Sequence, residues 1–308
     1  MTVRYRMLAQ DNARWDGFTF RDDDIVISTP AKSGTTWTQM ICALLVFGTP
    51  DFDGDLDALS PWLDALTQSH DSVLATLEAQ RHRRFIKTHT PLDGLPFDPR
   101  VTYVCVGRDP RDVGISSRNH LANVNAEAFL RARESAVGPA DVGEIPTQMQ
   151  TARELSARDH FRQWMLDDAP VTEHLFSLRF TLHHLSTFWE ARKSANVVLM
   201  HYDDLKADLL AEMRRLAQRL DITVPESAWP SLANAGTFEN MRRDARLVPE
   251  SRFGFWLDNQ RFFNRGVSRQ WVDVLDDADL QEYAARVTEL AAPDLLGWVH
   301  REPVTTPS

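Results

Sequence analysis

One segment near the start of the chain limits the possible folds more than any other feature. Residues 25–27 (IVI) form a short β-prone run, a loop rich in Ser, Thr, Lys and Gly follows, and residues 37–47 are apolar over the length of a helix. A strand that leads through a tight loop into a helix is typical of α/β folds, and the N–H groups at such a helix start face anions. Residues 28–37 therefore predict a phosphate-binding loop.

The rest of the sequence alternates short β-rich runs with helix-length segments. Further strands are predicted at 84–90, 102–106 and 196–201, and helices from Pro110 onward and near 176–192, 203–220 and 276–291. This alternation predicts an α/β fold in three layers, with helices on both faces of a parallel β-sheet and a P-loop-like phosphate-binding loop. We predict one domain over residues 1–308, in which residues 121–150, rich in Gly and Pro, form a lid or mobile insertion.

Composition narrows the class of protein. With 43% hydrophobic and 25% charged residues the chain is typical of a globular protein, and its formal charge of −10 argues against general nucleic-acid binding. The longest apolar run, residues 41–47, is too short to span a membrane, and no secretion signal is evident. Cys42 and Cys105 lie in apolar surroundings typical of buried free thiols. We expect a cytoplasmic protein with no membrane span and no nucleic-acid partner.

The predicted loop contains the groups that bind an anion. Gly34 permits a tight turn, Lys32 supplies a positive charge, and Thr35 and Thr36 supply hydroxyl donors. The alternative is a helix N-cap rich in Ser and Thr. A Walker A loop has Gly-Lys-Ser/Thr after an earlier glycine, whereas here the lysine precedes the only glycine. The loop predicts a phosphate but not ATP.

A second candidate anion site follows the third predicted strand. Where many Mg-dependent NTPases carry a metal-binding carboxylate, this strand ends in Arg108, a bidentate anion ligand. Ser116 lies eight residues further on and shares that anion only if the loop folds back. The alternatives are a surface charge at Arg108 and a helix start at which Asp109 and Asp112 pair with Arg111. Two anion sites at neighbouring strand ends favour a nucleotide phosphorylated at both ends.

The second predicted strand carries a candidate base. Its alternation places Lys87 and His89 on one face, and at the carboxyl end of a strand that face can meet the phosphate site. A neutral imidazole there can take a proton from a hydroxyl group, and Lys87 can stabilise charge on the transferred group. The alternative is a structural histidine, since the chain contains ten.

Together these motifs resemble those of the cytosolic-type sulfotransferases. PAKSGTTW at 30–37 resembles the family's 5′-phosphosulfate loop, KTH at 87–89 its catalytic-histidine strand, and YVCVGRDPRDV at 103–113 with Ser116 its 3′-phosphate motif. HLSTFW at 184–189, HYDDL at 201–205 and FNRG at 263–266, followed by Trp271, are similar to further family segments. The matches run in the family's order over most of the chain.

The resemblance implies a reaction and a set of roles. It implies 3′-phosphoadenosine 5′-phosphosulfate as the donor, no metal, and a small-molecule acceptor with a hydroxyl or amine group. His89 is then the general base, Lys87 acts on the sulfuryl oxygens, and Lys32 acts on the bridging oxygen and the leaving phosphate. The other implied contacts are Ser33, Gly34, Thr35 and Thr36 with the 5′-phosphate, Arg108, Ser116, Arg265 and Gly266 with the 3′-phosphate, and Trp37, Phe238 and Tyr202 with the adenine.

Four positions depart from the family pattern. Asn264 stands where the family often has arginine, and Gly236 where it often has a hydroxyl residue. Arg269 replaces a usual second glycine, and Trp271 is followed by Val272 instead of lysine. The departure at Asn264 removes an expected 3′-phosphate contact. The C-terminal dimerisation motif that begins at that lysine is not recognisable, so the sequence predicts no oligomeric state.

The acceptor is the least determined part of the prediction. If several apolar side chains line the site, a lipophilic alcohol or phenol is expected rather than a polysaccharide; otherwise they form ordinary core. The candidates are Trp15, Phe18, Phe20, Phe129, Phe161, Trp164, Met165, Phe253, Phe255 and Trp256. Two other functions stay open: a metal-dependent small-molecule kinase with an irregular phosphate loop, and a nucleotide-binding regulator without catalysis.

Overall fold

A parallel sheet of four strands lies at the centre of the chain. A computed structural model describes residues 2–145, 147–249 and 251–302. In these residues the sheet has the order β2-β1-β3-β4, and each neighbouring pair is parallel. The carboxyl ends of the strands therefore share one edge, where open α/β sheets bind ligands. The strands are β1 (Ile25–Ser28), β2 (Phe85–Thr88), β3 (Thr102–Gly107) and β4 (Val197–His201).

Helices surround this sheet. None of those described is long and apolar enough to cross a membrane. Short 3-10 helices also occur at Asn12–Trp15, Leu92–Gly94, Pro139–Asp141, Ala245–Leu247, Ser251–Phe253, Asn259–Arg261 and Gln270–Asp273. The α-helices are α1 (Thr35–Phe47), α2 (Leu56–Leu59), α3 (His70–Ala79), α4 (Pro110–Asn123), α5 (Ala126–Val137), α6 (Thr147–Thr151), α7 (Ala157–Leu166), α8 (Leu178–Glu190), α9 (Tyr202–Ala207), α10 (Leu209–Arg219), α11 (Trp229–Ala235), α12 (Phe238–Arg243), α13 (Asp277–Leu290) and α14 (Pro293–His300).

Both faces of the sheet are buried, and successive strand residues point to opposite faces. Ile25 and Ile27 of β1 pack in one hydrophobic cluster with residues of α1 and α10. Val26, between them, packs in a second cluster with residues of α8 and α14. The three-layer arrangement follows from these two clusters, because each face of the sheet needs its own helical cover.

The helices at the sheet edge begin as their sequences dictate. Gly34 precedes α1 with a left-handed φ of 113°, and Gly48 ends the helix with a φ of 67°. Only glycine adopts these conformations without strain. Asp109 caps α4 by accepting the N–H of Arg111, and Pro110 occupies the first turn, where its missing N–H costs nothing.

The structure confirms the predicted α/β fold and changes some element boundaries. β2 ends at Thr88 and not at Thr90, because the Thr90 N–H donates to the Thr88 hydroxyl instead of a neighbouring strand. The helix predicted near 203–220 is two helices, α9 and α10. Asp208 separates them, with a φ of −150°, and its carboxylate caps α10 by accepting the N–H of Ala211.

The predicted insertion at 121–150 contains the end of α4, all of α5 and part of α6. Arg133 of α5 is buried, and its guanidinium donates to the backbone carbonyls of Leu8, Asp141 and Val142. The bond to Leu8 fastens the segment to the N-terminal residues, and the other two lie within the segment. Its action as a lid stays a prediction.

Gly107, at the end of β3, lies against the indole of Trp298 in α14. A Cβ on Gly107 would overlap that ring. We expect Gly107→Ala to lower the free energy of unfolding by about 1–3 kcal/mol, measured by urea denaturation. Gly297→Ala is the matched control, because Gly297 is helical, exposed and has open space around it. The control should raise stability by up to about 1 kcal/mol, and equal losses in both variants would contradict the packing argument.

Candidate functional site

Two adjoining cavities open at the carboxyl edge of the sheet. We call them the polar cleft, bordered by the loop after β1, by α4 and by residues 261–270, and the apolar cavity, bordered by β2 and the segments near 7–9 and 249–256. Counting space open to solvent, they enclose about 820 Å³ and 1140 Å³, enough for a small-molecule ligand in each. Both are lined by Lys32, Thr35, Thr36, His120 and Phe262, where the cavities meet.

The structure gathers the residues that the sequence singles out. Lys87 and His89 line the apolar cavity, beside Lys32. Ser33 is fully buried, and its Oγ has no hydrogen-bond partner among the described residues. The described residues include no group of three or more His, Cys, Asp or Glu side chains that could hold a metal ion. The polar cleft is lined by the other predicted nucleotide contacts: Lys32, Gly34, Thr35, Thr36, Trp37, Arg108, Ser116, Tyr202, Phe238, Arg265 and Gly266.

The loop after β1 has a backbone suited to an anion. Lys32 and Gly34 both have left-handed φ angles, of 69° and 113°. The N–H of Thr38 donates to the Gly34 carbonyl at 2.9 Å and so begins the α1 hydrogen-bond ladder. The N–H groups that precede it in the first turn have no partner within the helix. A Cβ on Gly34 would lie 3.3 Å from the Tyr202 ring, so glycine also permits this close approach.

Arg108 is held on the other side of the polar cleft and is not the surface charge considered above. Its side chain is buried, donates to the carbonyls of Lys32 at 2.9 Å and Val267 at 3.1 Å, and lies 4.2 Å from the centre of the Tyr202 ring. The buried Nε atom has no partner among the described residues. Arg108 thus joins the loop after β1 to the segment 261–270 and keeps one donor for a ligand.

The two carboxylates of the GRDPRD motif have different roles. Asp109 forms an ion pair with Arg111 at 2.6 Å, as the sequence suggests. Asp112 does not join that pair. It accepts the backbone N–H groups of Arg269 and Gln270, each at 2.7 Å, and so fastens these two residues to α4.

The backbone describes two of the departures from the family pattern, Arg269 and Gly236, and also Gly266, which matches the pattern. Arg269 has a left-handed φ of 60°, a conformation that a glycine adopts with less strain. Gly266 has a φ of 63°, and a Cβ there would lie 2.7 Å from the Phe238 ring. The carbonyl of Gly236 accepts the indole N–H of Trp37 at 2.8 Å, so this position acts through its backbone.

His89 is a neutral imidazole held in one tautomer. Its Nδ1 lies 2.8 Å from the Thr29 carbonyl, an acceptor, so Nδ1 carries the proton and Nε2 keeps a lone pair. Burial, with the charges of Lys87 and Lys32, lowers the pKa of His89 to about 3. Trp62 packs against its ring with centroids 5.0 Å apart, and Lys87 Nζ lies 4.3 Å from the centre of the same indole.

A buried carboxylate fixes the chain on both sides of His89. Asp64 accepts the hydroxyls of Thr88 at 2.7 Å and Thr90 at 2.6 Å, and the indole N–H of Trp15 at 3.1 Å. Burial raises the pKa of Asp64. Since His89 lies between the two threonines, its position depends on these bonds.

Lys32 lies where the cavities meet. Burial, with the charges of Arg108 and Lys87, lowers the pKa of Lys32 to about 7. Its Nζ lies 3.2 Å from His120 Nδ1 and 5.3 Å from the centre of the Phe262 ring. The ion pairs among the described residues involve none of Lys32, Lys87 and Arg108. A chain with a formal charge of −10 thus contains a local cluster of unpaired cations.

Three of the ten apolar candidates line the apolar cavity: Phe129, Phe255 and Trp256. Phe253 is exposed, and its ring is tilted against the Phe255 ring with centroids 5.6 Å apart. For six others the alternative of ordinary core holds, since they pack in the hydrophobic clusters and do not line the cavity: Trp15, Phe18, Phe20, Phe161, Trp164 and Met165.

Several lining residues were not predicted. His120 lies four residues after Ser116 in α4, a spacing that places both on one helix face and could have revealed it. Trp62 carries no local signal, because only the chain fold brings it beside Lys87. The unpredicted lining residues include Met7, Leu8, Trp62, Asn119, His120, Met149, Phe176, Arg261 and Phe262.

The family model and the relatives found by sequence comparison identify the same family. A family model described as "Sulfotransferase domain" matches residues 22–293. A glycolipid sulfotransferase of Mycobacterium tuberculosis (strain ATCC 25177 / H37Ra) is 43% identical over 309 residues, which cover 97% of this chain and 94% of that protein. An amine sulfotransferase of Oryctolagus cuniculus is 23% identical over 271 residues, with coverages of 83% and 76%.

Solved structures show the same fold. Retinol dehydratase in a complex with retinol and PAP superposes with a TM-score of 0.68 at 19% identity, covering 90% of this chain and 84% of the other. Mouse sulfotransferase SULT7A1 complexed with PAP gives a TM-score of 0.67 at 19% identity, covering 94% and 93%. At these identities the likeness concerns the fold alone.

The geometry predicts that free His89 stays neutral, with its proton on Nδ1, throughout pH 5–8, because its pKa of about 3 lies below that range. Nitrogen-detected NMR of histidine-labelled protein measures both properties. The signal is assigned by its loss in His89→Gln. An imidazolium pattern for His89 at pH 6, or a proton on Nε2, would contradict the prediction.

Proposed function

The chain belongs to the sulfotransferase family, and we propose that it moves a sulfuryl group from 3′-phosphoadenosine 5′-phosphosulfate to a hydroxyl or amine of a small lipophilic acceptor, with His89 as general base. The observation that carries this proposal is the position of His89 and Lys87 beside Lys32, where the apolar cavity meets the polar cleft. A base on the acceptor side and a cation at the junction are the groups that such a transfer needs.

The polar cleft fits a donor with phosphates at two ends. The buried Ser33 Oγ and Arg108 Nε have no partner among the described residues, so each is available to an anion. Gly34 and Gly266 remove the side chains that would otherwise crowd Tyr202 and Phe238. The retinol dehydratase and mouse sulfotransferase structures were both solved with PAP, which supports the same nucleotide class here.

The proposed contacts divide between the two ends of the polar cleft. When bound, the donor supplies a sulfuryl group attached to a phosphate that can leave. The aromatic residues Trp37, Phe238 and Tyr202 would hold the adenine. The loop residues Ser33, Gly34, Thr35 and Thr36 would bind the 5′-phosphate, and Arg108, Ser116, Arg265 and Gly266 would bind the 3′-phosphate.

In the proposed mechanism, His89 Nε2 takes the proton of the acceptor hydroxyl. In the free protein burial, together with the charges of Lys87 and Lys32, lowers the pKa of His89 and makes it a weak base. An anionic donor would offset the two lysine charges, so the pKa of His89 would rise when the donor is bound. The bond from Nδ1 to the Thr29 carbonyl stabilises the imidazolium that forms.

The two lysines would stabilise the charge that spreads during transfer. Lys32, at the junction, would act on the bridging oxygen and the leaving phosphate, and Lys87 on the sulfuryl oxygens. Lys87 is buried and Lys32 is partly buried, which strengthens their electrostatic effect. The Lys87 ammonium packs on Trp62 and therefore keeps its position.

The apolar cavity supports a lipophilic acceptor. Its wall includes Met7, Leu8, Phe129, Phe255 and Trp256, which would pack against apolar surface. The relative with 43% identity is named a glycolipid sulfotransferase, which is consistent with such an acceptor. A free polysaccharide would find few hydrogen-bond partners on this wall.

A direct test is incubation with the sulfate donor and matched acceptors: a long-chain alcohol, a glycolipid, a sterol, a phenol, an amine and a free sugar. Release of adenosine 3′,5′-bisphosphate with the lipophilic compounds is expected. Nucleotide binding without release for any acceptor would favour the non-catalytic regulator. Mg-dependent turnover of ATP would favour the kinase.

Loss of the base should separate chemistry from binding. We expect His89→Ala to lower kcat by about 10²–10⁴-fold, because the acceptor proton loses its recipient. The affinity for adenosine 3′,5′-bisphosphate, measured by calorimetry, should be unchanged. His70→Ala, a substitution far from both cavities in α3, is the control. A comparable loss of nucleotide affinity in His89→Ala would argue against the assigned role.

Donor binding should depend on the charge of Lys32. An anion beside the ammonium raises the pKa of Lys32 from about 7, so binding takes up a proton at and above neutral pH. The affinity for adenosine 3′,5′-bisphosphate should therefore be greatest below pH 7 and fall by up to about tenfold per pH unit above it. Lys32→Arg, which stays charged, should remove this dependence. A pH-independent affinity in the wild type would contradict the assignment.

A further inference from the structure

His120 occupies the junction of the two cavities but has no role in the function proposed above. It lies in the last turns of α4, four residues after Ser116. Its side chain lines both the polar cleft and the apolar cavity. The residue therefore reaches the place where the donor and acceptor would meet.

The contact that distinguishes His120 is with Lys32. The Lys32 Nζ lies 3.2 Å from His120 Nδ1, and no other hydrogen bond of this ammonium group occurs among the described residues. Its remaining close neighbour is the Phe262 ring, at 5.3 Å. The position of the ammonium thus depends on one acceptor atom.

The imidazole is itself held in place and is neutral. Its ring centroid lies 5.0 Å from Trp256, 5.8 Å from Phe176 and 6.4 Å from Phe262. Burial, with the charges of Lys32, Lys87 and His89, keeps the pKa of His120 well below its usual value. Because Nδ1 accepts from an ammonium, the proton of this neutral ring lies on Nε2.

We propose that His120 is a positioning residue whose Nδ1 holds the ammonium group of Lys32 at the junction of the cavities and favours its charged form. The catalytic use of that charge rests on the function proposed above. The contact itself and its effect on Lys32 do not.

The groups around Lys32 explain why one neutral acceptor matters. Arg108, at the end of β3, and Lys87, on β2, both favour loss of the Lys32 proton, as does burial. His89, which also lines this junction, is neutral. Other titratable side chains also line the cavities, among them Glu173, His174, Arg261 and Arg265. The lone pair of His120 Nδ1 favours the opposite outcome, because a hydrogen bond to the charged form stabilises it. Without this acceptor the ammonium should lose its proton at a lower pH.

The chain is suited to a direct measurement, because it contains only four lysines: Lys32, Lys87, Lys193 and Lys206. Carbon-13 labelling of the lysine side chains gives four NMR titrations in the ligand-free protein, and Lys32→Arg assigns the one of interest. His120→Phe keeps an aromatic ring but removes the acceptor. His120→Gln keeps an acceptor, and His174→Phe changes another cavity histidine that does not contact Lys32.

The expected result is a selective shift of one titration. In His120→Phe, Lys32 should titrate about one pH unit lower than in the wild type. In His120→Gln it should titrate between the two, and in His174→Phe at the wild-type pH. An unchanged Lys32 titration in folded His120→Phe would overturn the proposal. If His120→Phe does not fold, His120→Ala is titrated in its place, and an unchanged Lys32 titration in that variant would overturn the proposal. A Lys32 titration in His120→Gln that is shifted as far as in His120→Ala would also overturn it.

Kinetics provide a second readout that a purely structural role would not move. For the donor, kcat/KM of His120→Phe should approach the wild-type value at pH 5.5, where Lys32 is charged in both proteins. At pH 8 it should be about tenfold lower, and His120→Gln should recover part of the loss. A loss equal at both pH values would overturn the proposal. A wild-type protein without any transfer activity would instead reject the proposed function, while the NMR titration would still test the contact.

Discussion

The site depends on positive charge that the protein does not neutralise. Lys32, Lys87 and Arg108 converge at the carboxyl edge of the sheet, and none has a carboxylate partner within ion-pair distance among the described residues. Unpaired charge in partly buried surroundings is costly. The lowered pKa values of Lys32 and His89 are two expressions of that cost. A polyanionic ligand would remove it, so ligand binding and protonation are linked at this edge.

The protein holds these cations in place mainly through neutral contacts. Arg108 donates to the carbonyls of Lys32 and Val267, Lys87 packs on Trp62, and Lys32 contacts an uncharged imidazole. Carbonyls, rings and neutral nitrogens fix a position without cancelling a charge. A nearby carboxylate, Asp112, accepts the backbone N–H groups of Arg269 and Gln270 instead of forming an ion pair with one of these cations. Position and charge are thus supplied by different groups.

Local sequence patterns predicted the sheet and many of the site residues at its carboxyl edge. The strands stand out by composition. The alternation predicted over residues 84–90 placed Lys87 and His89 on one face, and both line the apolar cavity although His89 follows the end of β2. The break at Asp208 was not predicted, because capping by its carboxylate outweighs the helical propensity of its neighbours. The apolar wall was predicted least well. Whether an aromatic residue lines a cavity or fills the core depends on tertiary packing, as Phe129 and Phe161 illustrate. Trp62 and Met7 reach the site from segments with no motif of their own.

The division between the two cavities has a consequence for how such proteins diversify. The polar cleft is built around the strand ends and the helices that follow them, whereas much of the apolar wall comes from the N-terminal segment, α5 and residues 249–256. Under the proposed function, substitutions in those outer segments would change which acceptor fits without moving the strand ends that would hold the donor. Residues that line both cavities, such as Phe262 and His120, would couple a change of acceptor to a change in donor binding.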